Sequence, residues 1–188
     1  MDNHFSLEGK TFLVTGSTTG LGRAMANALG AAGARVAMNY QNNTERAESA
    51  FNDFKGNGYE GGLFRASVID PEDIHRLRKE IESELGPVDG FVVNATPAQP
   101  LKPIEEYDWD FYQSMIDFFI KSPYLLTREF LPHMRQQKWG RIINIASEVF
   151  TRGVAPFSAY VAAKGGQIGW TRSMTNELAP DGNTVNAI

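Results

Sequence analysis

The sequence predicts an α/β fold, a doubly wound parallel sheet with helices on both faces. Three observations carry that expectation. Short apolar runs alternate with longer segments whose apolar residues repeat at helical spacing. The run Val88 to Val93 is almost continuously apolar, as in a parallel strand buried on both sides. The first run leads directly into a glycine-rich turn that opens a helix, Thr15-Gly16-Ser17-Thr18-Thr19-Gly20-Leu21-Gly22.

In chain order, Thr11 to Val14 reads as the first strand, and Leu21, Met25, Ala28, Leu29 and Ala32 mark one face of the first helix. Gly33 stops that helix. Arg35 to Asn39 is the second strand, and the cap-type residues Gln41 to Thr44 precede a helix through about Phe54. A flexible turn with Gly56, Gly58, Gly61 and Gly62 leads into a weaker third strand, Gly62 to Ala66. Asp70 and Pro71 supply a cap and a first-turn proline for a helix through about Leu85. Val88 to Val93 is the fourth strand. A long helical segment runs from about Asp108 to Gln137, and Arg141 to Ala146 is the fifth strand, with Ser147 at its end. A further helix spans about Ser158 to Leu178, and Thr184 to Ile188 begins a sixth strand. No internal repeat or linker divides the chain, so residues 1–188 read as a single domain.

Composition excludes several classes. Cysteine is absent, which rules out disulfides, thiolate metal sites and cysteine nucleophiles. His4, His75 and His133 have no neighbouring ligand pair and read as surface or helix residues rather than a metal site. A net charge of −4 gives no reason to expect nucleic acid or an anionic membrane as partner. The N-terminus shows no signal peptide, and no run of about 18 apolar residues could span a bilayer. The expected compartment is the cytoplasm.

The chemistry lies at the carboxyl edge of the sheet, where ligands bind in such folds. A helix start combines free N–H groups with a positive dipole end and so favours a phosphate. Gly16 allows the tight turn, Gly20 lets a pyrophosphate approach the backbone, and Gly22 lets helix and strand pack closely. Such a turn alone is also compatible with a ligand-free connection. Asn94, Ala95 and Thr96 follow strand four on the same edge, and Ser147 ends strand five. Tyr160 and Lys164 are four apart on one helix and therefore share a face. A tyrosine pKa of about 10 makes a poor base near neutrality, and a nearby ammonium would lower it. Ser147 could donate to a substrate oxygen as charge develops there. Taken alone, the Tyr160/Lys164 pair also fits a solvated surface pair.

In combination these motifs resemble the short-chain dehydrogenase/reductase family across essentially the whole chain. The resemblance rests on Thr15-Gly16, Gly20-Leu21-Gly22, Asn94-Ala95, Gly140-Arg141-Ile142-Ile143-Asn144-Ile145-Ala146-Ser147, Tyr160 to Lys164, Glu177 to Pro180 and Val185-Asn186-Ala187. The members it looks most like are 3-oxoacyl-carrier-protein reductases. The resemblance implies a Rossmann-type dinucleotide-binding domain and an NAD(P)(H)-dependent oxidoreductase acting on a small ketone or secondary alcohol. Ser147, Tyr160 and Lys164 would be its catalytic residues, with Tyr160 as acid/base and the lysine also holding the nicotinamide ribose. Gly16, Ser17, Thr19, Gly20, Leu21, Gly22, Tyr40, Gln41, Ser67, Val68, Asn94, Ala95, Thr96, Tyr160 and Lys164 would bind the cofactor. It also implies a homo-oligomer, dimer or tetramer, which suits the apolar richness of Phe111 to Leu131.

Departures from the family pattern leave a second reading open, a non-catalytic dinucleotide-binding sensor or scaffold. Thr96 replaces the glycine of the family's Asn-Asn-Ala-Gly segment, Ser67 stands where an acidic residue flanks the adenine, and Phe119 replaces an asparagine of the proton relay. Pro123, four residues after Phe119, has no N–H to bond that residue's carbonyl in an α-helix, so the backbone contribution to a relay is expected to survive. After strand two, Asn39-Tyr40-Gln41-Asn42-Asn43 offers neither an acid to favour NAD(H) nor a base to favour NADP(H), and Thr19 takes a place often basic in NADP(H) members. The balance leans to NADP(H) over NAD(H). Family members continue with a substrate-covering segment and a last strand, so the domain is expected to be C-terminally incomplete.

Overall fold

The computed structural model describes residues 5–188. Met1-Asp2-Asn3-His4, which bear the expectations about a leader and about His4, lie outside the described residues.

Six parallel strands form one sheet in the order β3-β2-β1-β4-β5-β6. They are β1 (Thr11–Val14), β2 (Arg35–Tyr40), β3 (Gly61–Arg65), β4 (Gly90–Val93), β5 (Gly140–Asn144) and β6 (Asn183–Ala187). The helices are α1 (Gly20–Ala31), α2 (Thr44–Gly56), α3 (Pro71–Leu85), α4 (Trp109–Ile116), α5 (Ser122–Gln137), α6 (Val149–Arg152) and α7 (Ser158–Leu178). Every residue of β1 and of β4 is buried, as parallel strands covered on both faces require.

Alternation along β1 separates two cores. Phe12 and Val14 face Val36, Met38 and Phe54, beneath α1 and α2. Leu13 faces the other way, toward Ile74, Leu77, Phe91, Leu126 and Leu178, beneath α3, α5 and α7. α3 shows how sequence makes such an element. Asp70 Oδ1 accepts from the N–H groups of Glu72 and Asp73 at 2.9 and 3.2 Å, and Pro71 occupies the first turn. Ile74, Leu77, Ile81 and Leu85 then form one buried stripe.

The boundaries differ from the sequence expectation in places that matter. β4 begins at Gly90 rather than Val88, and Asp89 just before it accepts from the Thr11 N–H through its carboxylate at 2.8 Å. β5 stops at Asn144, so Ser147 lies three residues beyond the strand, ahead of the short, unanticipated α6. β6 is a paired edge strand, with Asn144 opposite Ala187. The long helix is not regular: Asp117–Lys121 form a π-helical turn between α4 and α5, in which the Ser122 N–H donates to the Asp117 carbonyl. Pro123 follows at once and cannot supply an i→i+4 donor, which fits a widened turn at this place.

Candidate active site

The strand order reverses between β1 and β4, and their carboxyl ends are stitched together there. The Thr15 hydroxyl donates to the Val92 carbonyl at 3.1 Å and accepts from the N–H groups of Asn94 and Ala95 at 2.9 and 3.0 Å. Asn94 Nδ2 donates to the carbonyls of Thr15 and Gly16 at 2.9 and 3.1 Å. Gly16 has φ +61, and a Cβ on it would lie 2.9 Å from Ala95 Cα, so both conformation and close approach require glycine.

A cleft of about 730 Å³ opens above this seam. It runs from the glycine turn past the end of β2 to Tyr160 and Lys164. Gly16, Thr19, Gly20, Leu21, Gly22, Tyr40, Gln41, Val68, Asn94, Ala95, Thr96, Tyr160 and Lys164 all line it, as does Phe119. Ser17, Ser67 and Ser147 do not; Ser147 instead reaches the cleft through its hydrogen bond with Tyr160. Ser17 is buried, its hydroxyl accepting from the Asn39 N–H at 2.9 Å and tying turn to strand. Ser67 sits between two lining residues, Ala66 and Val68, and gives its N–H to Asp73 at 2.7 Å. Asn39, quoted in the sequence at the point of cofactor choice, spends its side chain on the scaffold: Nδ2 donates to Ala66 O at 3.0 Å and Oδ1 accepts from Gly16 N at 3.3 Å.

The α1 N-terminus fits the pyrophosphate of a dinucleotide. Its Thr19 cap makes no side-chain hydrogen bond, and the first turn holds no acidic residue, so the helix end offers its N–H groups and dipole to an anion. Residues that sequence reasoning passed over also line the cleft, notably Arg46, Gln99 and Phe118. Arg46 was legible in principle: it stands three residues after the Asn43 cap, whose Oδ1 accepts from the Arg46 N–H at 2.8 Å.

At the far end Tyr160 and Lys164 meet Phe119. The Phe119 ring meets Tyr160 edge-to-face, 5.2 Å between centroids and 82° between planes, while Phe157 stacks on Tyr160 at 4.7 Å. Lys164 is 3% exposed, and its Nζ lies 5.6 Å from the Tyr160 ring centroid and 3.9 Å from that of Phe119. The net lowering of the phenol expected from the lysine charge is not found. Burial raises the Tyr160 pKa above the usual tyrosine value, against an opposing hydrogen bond from Ser147. Burial also lowers Lys164 from 10.5 to about 7. No group of three or more possible metal ligands occurs among the described residues; His75 and His133 instead pair with Glu129 and Asp89.

A doubly wound sheet with an anion-ready glycine turn and a Tyr/Lys pair in one cleft defines a nucleotide-dependent oxidoreductase of the α/β class. The short chain dehydrogenase family model matches residues 10–188, and the chain belongs to that family. It is 36% identical over 181 residues to the 3-oxoacyl-[acyl-carrier-protein] reductase FabG of Staphylococcus aureus, covering 95% of this chain and 72% of the relative. It is 37% identical to a D-beta-hydroxybutyrate dehydrogenase of Cupriavidus necator, covering 97% of this chain and 70% of the relative. Among solved structures, a blue fluorescent protein from a metagenomic library, in complex with NADPH, superposes with a TM-score of 0.88 at 29% identity, covering 97% of this chain and 74% of that one. The protein is an NAD(P)-dependent oxidoreductase. No helix among the described residues is long and apolar enough to cross a membrane.

Proposed function

We propose that the protein reduces a small ketone, or oxidises the matching secondary alcohol, with Tyr160 carrying the proton, Ser147 donating to the substrate oxygen and Lys164 stabilising the phenolate. A bound nicotinamide would supply or accept the hydride. The observation that carries this reading is that the α1 N-terminus and the Tyr160/Lys164 pair open into one cleft. The glycine turn with Leu21, Asn94, Ala95 and Thr96 would hold the dinucleotide, and Tyr40, Gln41 and Val68 its adenosine end.

The cofactor is NADP(H) rather than NAD(H), because Arg46 adds a cation to the part of the cleft lined by Gln41, Asn42 and Asn43. The sequence comparison with a carrier-protein reductase favours 3-oxoacyl thioesters as the first substrates to try. Family membership and the uncovered aromatic residues Trp109 and Tyr124 on the long helical segment support a homo-oligomer, and the compartment this reading assigns is the cytoplasm.

The test is nicotinamide absorbance during turnover with NADPH and NADH against 3-oxoacyl thioesters, simple ketones and secondary alcohols. Tyr160→Phe is expected to remove turnover by a factor of about 10² to 10⁴ while nucleotide binding persists. Binding without turnover across the whole panel would reverse the reading in favour of a non-catalytic nucleotide-binding protein.

A further inference from the structure

Lys164 has an unusual set of neighbours for a buried ammonium. It offers three N–H donors and no acceptor. Nζ donates to the Ile145 carbonyl at 2.5 Å and to Gln167 Oε1 at 3.0 Å, and the face of the Phe119 ring lies over it at 3.9 Å. A ring face at that distance attracts a cation.

Gln167 is fully buried, at 0% exposure, three residues after Lys164 on the same helix face. An ammonium can only donate, so the carboxamide oxygen must face it. The other end of the amide, Nε2, has no hydrogen-bond partner among the described residues. An apolar side chain of similar size would fill this place without leaving a polar atom unpaired, so packing does not account for a glutamine. The helix is held in register here as well: the Thr171 hydroxyl donates to the Gln167 carbonyl at 2.8 Å and accepts from Asn144 Nδ2 at 3.0 Å.

We propose that Gln167 and Phe119 are positioning residues for Lys164, and that with the Ile145 carbonyl they cage its ammonium and keep it charged beside Tyr160. The inference rests on the catalytic role given to Lys164 above. Burial works against the charged form of this lysine, and the two acceptors and the ring face work for it. The groups facing it are the Ile145 carbonyl from the end of β5, Phe119 from the π-helical turn, and Tyr160 and Gln167 from α7; Ser147 reaches Tyr160. Among the described residues no carboxylate makes an ion pair with Lys164. Phe119 thus has a function of its own at the place where family members carry asparagine.

The experiment is an NMR titration of the protein labelled with ¹³C at the lysine ε-carbon, free of cofactor, with Lys164→Met to assign the signal. It is repeated for Gln167→Leu, Gln167→Glu and Phe119→Leu, and the pH profile of turnover is recorded for each. Gln167→Leu is expected to lower the Lys164 midpoint by about one pH unit, and Gln167→Glu to raise it by a similar amount. Phe119→Leu lowers it by a smaller step. The alkaline limb of turnover, where the lysine loses its proton, moves the same way. Should Gln167→Leu fail to fold, Gln167→Glu and Phe119→Leu still decide the matter. Midpoints that do not move in the folded variants would overturn the cage. Midpoints that move in a protein without turnover would uphold the cage and count against the catalytic reading, so the two fail separately.

Discussion

Asn94 Nδ2 donates to the Gly16 carbonyl at 3.1 Å, so the end of β4 holds the shape of the turn that follows β1. The same amide reaches the Thr15 carbonyl at 2.9 Å. Asn94→Ala removes both donors. The expected result is a loss of about 1–3 kcal/mol in stability by urea denaturation, together with weaker dinucleotide binding by fluorescence titration. Unchanged nucleotide affinity would separate Asn94 from the ligand site.

Gly22 is where α1 meets this seam. A Cβ there would lie 2.4 Å from Gly16 O and 2.4 Å from Asn94 Nδ2, and a backbone carbonyl cannot step aside as a flexible side chain can. Gly22→Ala is expected to destabilise by about 1–3 kcal/mol in thermal unfolding and to displace the turn. A variant as stable as the parent would show that α1 has slack.

Arg46 provides the test of cofactor choice. Loss of a charge-assisted hydrogen bond to phosphate is worth about 1.5–3 kcal/mol, tenfold or more in affinity. Arg46→Ala is therefore expected to weaken NADPH binding by at least about tenfold and leave NADH binding nearly unchanged, as read by paired titrations. Equal losses for both nucleotides would place Arg46 away from the 2′-phosphate.

Asp89 links stability to pH. Burial raises its carboxyl pKa, but the Thr11 N–H, Gln137, His133 and the Lys10 charge together outweigh burial and hold it below the ordinary value of 3.8. A carboxylate with a depressed folded pKa contributes stability above its unfolded pKa and loses it as pH falls through the folded one. Acid unfolding below about pH 4 is thus expected to be gentler in Asp89→Asn, whose stability at pH 7 is lower by about 1–3 kcal/mol. Parallel stability curves for the two proteins would exclude Asp89 as a contributor to acid unfolding.

Much of the fold could be read along the chain, because its signals are local. The Asp70-Pro71 cap, the stripe from Ile74 to Leu85 and the apolar runs of β1 and β4 each follow from spacing and burial within one segment. The cleft was legible where a motif demands a particular residue, as at Gly16, Asn94, Tyr160 and Lys164. It was not legible where the role depends on a partner that no motif specifies. The Ser17 hydroxyl accepts from the Asn39 N–H, and the Ser67 N–H donates to Asp73. Gln167 lies outside the motifs, and no periodicity distinguishes it from a core position.

Alternating strands and helices and the glycine turn settled the class of fold, since each follows from backbone geometry and residue type within a few turns of chain; the class of chemistry was legible only through the family resemblance that Ser147, Tyr160 and Lys164 carry together with the other motifs. The charge state of Lys164 was not among those things. It depends on burial, on Phe119 from the π-helical turn 45 residues earlier in the sequence and on the Ile145 carbonyl beyond β5. Desolvation and hydrogen bonding act through space, and these groups become neighbours only when the sheet and its helices close around them.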